Sequence, residues 1–190
     1  MKKLTDGLIL YHGSYCEVAH PDLKQCAKYK DFGQGFYLTT SKTQAENFSR
    51  FSTRKAIANR HIPANQTYGV VSIFSLSLDP ALSIQVYEEA DIEWLHCVVG
   101  YRKKHSFPEV IEAMKDRDIL AGKIANDQTN ATIAAYIAET FGPLGSSTAD
   151  EICIRLLLPE RLQDQYCFRT NKALRCLHFE RSEQICLKQN

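Results

Sequence analysis

Apolar positions run consecutively in the first forty residues and fall at helical spacing further on. Leu8-Ile9-Leu10-Tyr11 is an apolar run stopped by His12-Gly13-Ser14, which predicts a buried strand ending in a turn. Glu17 to Lys30 is polar, carries Pro21 and several lysines, and predicts a loop. Phe36 to Thr40 is aromatic and β-branched and predicts a strand delivered by a glycine-bearing loop, Gly33-Gln34-Gly35. Ser41 then serves as an N-cap. Gln44, Ala45, Phe48, Phe51 and Ser52 recur at helical spacing to about Arg60, with Arg50, Arg54, Lys55 and Arg60 on the outer face. That basic face is either solvated or able to meet a diphosphate.

Tyr68 to Leu78 alternates as a half-buried strand does, and Asp79-Pro80 breaks it. Ala81 to Tyr87 predicts a short strand. Glu88 to Lys104 predicts a helix with Ile92, Leu95, Val98 and Val99 inward and three cations in its last turn. Phe107 to Met114 predicts a short helix and Asp118 to Ala125 a buried strand. Asn126-Asp127 caps a helix to about Phe141, and Thr148 to Leu158 forms the next. Gln165 to Thr170 predicts a strand and Asn171 to Leu174 a turn. Leu174 to Phe179 predicts another strand, with a last one around Ile185 to Leu187. Strands and helices mix without regular βαβ alternation, so the expected class is α+β around mostly antiparallel sheets.

A chain of 190 residues suits one domain, 1–190. The net charge of +1 gives no global field toward nucleic acid or anionic lipid and leaves only local patches. The first apolar run is too short for a signal-peptide core or a membrane span, so the expected location is cytoplasmic, or outside the cell by a route without such a signal. The seven cysteines show no C-x-x-C spacing and read as small buried hydrophobes.

Several motifs are set aside. Asp31-Phe32-Gly33 spells a kinase magnesium motif, but no H-R-D loop accompanies it. Gly33-x-Gly35 lacks a third glycine and precedes a strand, which is wrong for a Rossmann turn. No Walker loop, G-x-S-x-G or H-E-x-x-H occurs, and the scattered histidines predict no metal site.

Three stretches become specific together: Leu10-Tyr11-His12-Gly13-Ser14, then Asp31-Phe32-Gly33-Gln34-Gly35-Phe36-Tyr37-Leu38-Thr39-Thr40 followed by Gln44-Ala45, then Asp164-Gln165-Tyr166-Cys167-Phe168-Arg169-Thr170. In this order they resemble a family of small bacterial and phage-type proteins in the ADP-ribosyltransferase superfamily, the group known as domain of unknown function 3990. Asp118 to Asp127 and Lys172-Ala173-Leu174 extend the resemblance over nearly the whole chain.

The resemblance implies an ADP-ribosyltransferase-like split β-sandwich of mostly antiparallel strands with flanking helices, holding NAD as substrate between two sheets. It implies His12 on the adenosine-side ribose, with the Gly13 and Ser14 backbone near the nicotinamide amide. Tyr37 would stack on nicotinamide, and Gln165 stands where the superfamily signature has glutamate. Gly35, Phe36, Thr39, Asn126 and Asp127 are implied as further NAD contacts. The implied activity is mono-ADP-ribosylation of a macromolecular or small-molecule acceptor, with a protein ahead of nucleic acid and no membrane partner. A non-catalytic NAD or ADP-ribose binding module and an NAD glycohydrolase are the alternatives. Glutamine can accept from a ribose 2′-OH but carries no charge. Asp31, Asp127 and Asp164 are the carboxylates that could assist it.

Overall fold

The computed structural model describes residues 1–124, 127–158 and 162–187. Among these residues seven strands form two sheets. The first holds β1 (Ile9–Ser14), β3 (Tyr68–Leu76) and β7 (Leu177–Cys186) in the order β1-β3-β7, all antiparallel. The second holds β2 (Phe36–Leu38), β4 (Ile84–Val86), β5 (Ile119–Lys123) and β6 (Asp164–Phe168) in the order β2-β6-β5-β4. Among the described strands, β4 and β5 alone pair in parallel. The helices are α1 (Lys42–Ala58), α2 (Ile92–Arg102), α3 (Pro108–Met114), α4 (Asp127–Ile137), α5 (Ser147–Leu157) and the single turn α6 (Asn171–Leu174).

Strand alternation sorts the side chains into layers. Leu10, Phe36, Leu38, Phe74, Ile119, Ala121, Tyr166 and Phe168 fill the space between the sheets. The other face of the second sheet offers Leu120 and Cys167 to Trp94, Val98, Ile133, Tyr136 and Cys153 of α2, α4 and α5. The other face of the first sheet offers Val71, Ile73 and Ile185 to Ala45 of α1. The class is α+β, with helices flanking two mostly antiparallel sheets.

The inner face of α1 is built from small residues, Ala45, Ser49, Thr53 and Ala56. It lies on two glycines. A Cβ on Gly13 would fall 2.1 Å from the Ala45 carbonyl oxygen, and one on Gly69 would fall 2.7 Å from that of Ser49. The Ser41 side chain accepts from the Gln44 amide as the expected cap. At the far side of the molecule the buried Asp150 accepts from the Tyr136 hydroxyl and meets His96 Nε2 at 2.9 Å, tying α2, α4 and α5 together.

Some boundaries differ from the sequence expectation for identifiable reasons. The two expected C-terminal strands are one, β7, whose polar middle lies on the solvent side of an edge strand. A bulge at Ile73/Phe74 leaves Glu180 out of register and absorbs the break in alternation. Residues 171–174 coil into α6 because the Thr170 side chain accepts from the Ala173 amide. The helix α4 stops at Ile137 because Glu139 takes the left-handed conformation, φ 60°, that usually announces itself as glycine. The helix α2 begins later than expected, capped by Asp91.

Four of the seven cysteines (Cys97, Cys153, Cys167, Cys176) are buried, while Cys16 and Cys186 are exposed. No helix among the described residues is long and apolar enough to cross a membrane.

Candidate functional site

The two sheets meet at one point. Tyr11 and Thr39 exchange both backbone hydrogen bonds, at 2.8 and 3.0 Å, as an isolated bridge between β1 and β2. Continuing that register would place Gly13 opposite Tyr37. Among the described residues no backbone rung forms there. Instead the His12 ring takes the Tyr37 carbonyl, Nδ1 to oxygen 2.8 Å. Past the bridge, β1 and β2 therefore part, with a side chain where the next rung would be.

Alternation points the N–H and C=O of Gly13 the same way as those of Tyr11, toward β2 and into this gap. A carbonyl can only accept, so Nδ1 carries the imidazole proton and Nε2 is left as an acceptor. The ring leans on Phe36, centroids 4.4 Å apart. Burial lowers the His12 pKa, opposed by the bond to the Tyr37 carbonyl.

The sign of the resulting pH dependence follows. An unfolded histidine titrates near 6.5, and folded His12 titrates below that. Stability from the neutral ring is complete above about pH 6.5 and falls as the pH drops toward the folded value, because only the unfolded chain takes up the proton. Thermal melts should show a Tm that declines on acidification through that window. His12→Asn, whose amide can still donate to the Tyr37 carbonyl, should flatten the decline. An unchanged slope in the variant would assign it elsewhere.

Tyr37 is half-buried, and its hydroxyl clamps the preceding turn. It donates to the Gly33 carbonyl and accepts from the Phe32 amide, both at 2.9 Å. Burial holds its pKa well above the ordinary value, so it stays a phenol. Gly33 sits at φ 74°, and a Cβ there would meet the Tyr101 ring at 2.7 Å. Gly35 is required by β6, because its Cβ would meet Cys167 Sγ at 2.4 Å. The Phe36 side chain belongs to the inter-sheet core, edge-on to Phe74. The Thr39 hydroxyl donates to Gln44 Oε1 at 2.8 Å and accepts from the Ser41 amide, fixing the start of α1. Ser14 closes β1 opposite Val70.

Gln165 is 5% exposed, on the same face of β6 as Cys167. Its Nε2 donates to Asp31 Oδ2 at 2.7 Å and to the Lys123 carbonyl at 3.1 Å. Arg102 Nε donates to the other oxygen of Asp31 at 3.0 Å, and its NH1 reaches Asn130 Oδ1 at 2.7 Å. The Trp94 indole shares the Lys123 carbonyl at 3.0 Å.

The three signature positions are thus joined through short links. His12 bonds the Tyr37 backbone, the Tyr37 hydroxyl bonds Phe32 and Gly33, and the neighbouring Asp31 bonds Gln165. Asn126 and the side chain of Asp127 lie outside the described residues. Arg102, expected with Lys103 and Lys104 as a cation of a helix's last turn, also pairs with Asp31 across 71 residues, and no sequence spacing signals that.

Two surface depressions lie elsewhere. One of about 250 Å³ is lined by Met1 to Leu4, Val86, Glu88 and Tyr166, and one of about 290 Å³ lies around His20 and Arg175. Neither includes His12, Tyr37 or Gln165. Among the described residues no three His, Cys, Asp or Glu side chains cluster as a metal would require.

The structure is α+β, with two mostly antiparallel sheets flanked by helices. Residues 8–179 match the family model described as protein of unknown function DUF3990, and the chain belongs to that family. No curated protein matches it.

Proposed function

We propose that this protein binds NAD in the gap between β1 and β2 and transfers its ADP-ribose to an acceptor. The supporting observation is the parting of the strands past the Tyr11–Thr39 bridge, with His12, the Gly13 backbone and Tyr37 around it and Gln165 linked behind. The groups suit the ligand. His12 Nε2 can accept from a ribose hydroxyl. The Gly13 N–H and C=O match the two halves of a primary amide such as that of nicotinamide. The Tyr37 ring, with its hydroxyl fixed, offers a face to the cationic nicotinamide, worth roughly 0.5–2 kcal/mol.

In the proposed reaction the bond from nicotinamide nitrogen to ribose C1′ breaks, and its electron pair leaves with nicotinamide. The acceptor forms a bond to C1′ and gives its proton to solvent. Gln165 Oε1 accepts from the ribose 2′-OH and orients the sugar. The preferred acceptor is a protein, with nucleic acid or a small molecule as alternatives. Water as acceptor would make the enzyme an NAD glycohydrolase.

One observation favours a second reading, a non-catalytic NAD or ADP-ribose binding module. The buried Gln165 carries no charge of its own, and its neighbour Asp31 is ion-paired with Arg102. A missing transition-state contact of this kind costs on the order of 10²–10³ in rate. Nicotinamide release from NAD, measured with and without cell lysate, separates the readings. Release supports transfer or hydrolysis. Thermal stabilisation by NAD without release supports the module.

A further inference from the structure

We infer that Asp31 and Arg102 are positioning residues for Gln165: Asp31, held by Arg102, fixes the amide so that its oxygen is the group left to accept. The two side chains come from the turn before β2 and from β6, 134 residues apart. An amide nitrogen has two protons, and both are committed, one to Asp31 Oδ2 and one to the Lys123 carbonyl. The amide therefore has one orientation, and Oε1 is left to accept. Among the described residues nothing donates to it.

Arg102 holds the other oxygen of Asp31 and is itself braced by Asn130 on α4. A carboxylate bonded to the amide N–H polarises the amide and enriches its oxygen. That this oxygen meets a ribose 2′-OH rests on the NAD proposal above. The orientation itself does not.

The same geometry accounts for glutamine at position 165. A glutamate there would put a second carboxylate where Asp31 now finds a donor 2.7 Å away. The two would share one proton, with an apparent pKa raised for the pair. Among the described residues the titratable neighbours are Tyr37, Cys97 and Cys167, with Arg102 and the Lys123–Asp164 ion pair at 2.8 Å. Burial pushes Cys97 to about 11, Cys167 to about 12 and Tyr37 well up, so these three do not ionise near neutral pH. A response near neutrality in a glutamate variant would belong to the carboxylate pair.

The test compares wild type with Gln165→Glu, Asp31→Asn, Asp31→Ala and the double variant Asp31→Asn/Gln165→Glu. Melts without nucleotide are taken from about pH 5 to about pH 8, spanning a raised carboxyl pKa. Relative to wild type, Gln165→Glu should lose Tm as the pH rises, because its folded-state pKa lies above the unfolded one. The double variant should not, since the asparagine amide can donate to the glutamate.

Nicotinamide release should fall roughly tenfold to a hundredfold in Asp31→Ala, mainly in kcat rather than KM, as loss of a transition-state contact does. Asp31→Asn, which can still accept from Gln165, should fall less. Parallel Tm–pH curves for wild type and Gln165→Glu would overturn the inference. So would full release by Asp31→Ala, and that result leaves the NAD proposal standing. No release by wild type with the pH coupling present removes the transfer reading and supports the Asp31–Gln165 unit.

Discussion

Tyr37→Ala should abolish nicotinamide release from NAD while the protein remains folded, the largest expected change in activity. Two contributions are lost together. The ring face opposite nicotinamide disappears, and so does the hydroxyl that joins the Phe32 amide to the Gly33 carbonyl. Those bonds fix the turn carrying Asp31, so the Gln165 anchor also loosens.

Tyr37→Phe separates the effects. It keeps the ring and removes the clamp, leaving the Phe32 amide without its partner at a cost of about 1–3 kcal/mol. The expected order of release is wild type, then Tyr37→Phe, then Tyr37→Ala at background. Release by Tyr37→Ala equal to that of wild type would remove Tyr37 from the reaction. A melt of each variant shows whether loss of activity is loss of fold.

The largest expected effect on stability belongs to Gly13→Ala. The added methyl would stand 2.1 Å from the Ala45 carbonyl oxygen and 2.9 Å from the Ser49 amide nitrogen, both backbone atoms of α1. Backbone cannot rotate away as a side-chain tip can, so the helix must lift from β1 and β3. Overpacking of this kind costs about 1–3 kcal/mol and at times more.

Lifting α1 also disturbs the bond from Thr39 to Gln44 and with it the Tyr11–Thr39 bridge. Denaturant melts should show a clear fall in midpoint for Gly13→Ala. Gly7→Ala is a comparison, because no atom lies within 4 Å of its Cβ and only its φ of 73° is strained. If Gly13→Ala were no more destabilised than Gly7→Ala, α1 would not be seated as described.

Much of the fold was legible because local chemistry and tertiary demand agree. Ser41 caps α1, and the apolar run from Leu8 leads into β1, although β1 runs on through His12-Gly13-Ser14 where the sequence predicted a turn, and β3 already ends at Leu76, ahead of Asp79-Pro80. What was illegible depended on distant partners. Glu139 ends α4 ahead of the Gly142-Pro143 pair that the sequence offered as its terminator, and the polar residues from Arg181 to Gln184 look like a break until β3 is seen beside them.

The site divides the same way. The family resemblance set His12, Tyr37 and Gln165 together, and in the structure hydrogen bonds by way of the Asp31–Gly33 turn run between them. It could not show that Gly13 and Gly35 are also required by the approach of α1 and β6, or that the Thr39 hydroxyl is committed to α1. Among the three carboxylates left open, the structure puts Asp31 on Gln165, while Asp164 pairs with Lys123.

The most direct test is to incubate the purified protein with NAD and quantify free nicotinamide, beside Tyr37→Ala and a melt of each with NAD and with ADP-ribose. The proposed function predicts release above the protein-free rate, lost in Tyr37→Ala, with NAD raising the wild-type Tm. No release, together with no change in Tm by either nucleotide, would contradict it.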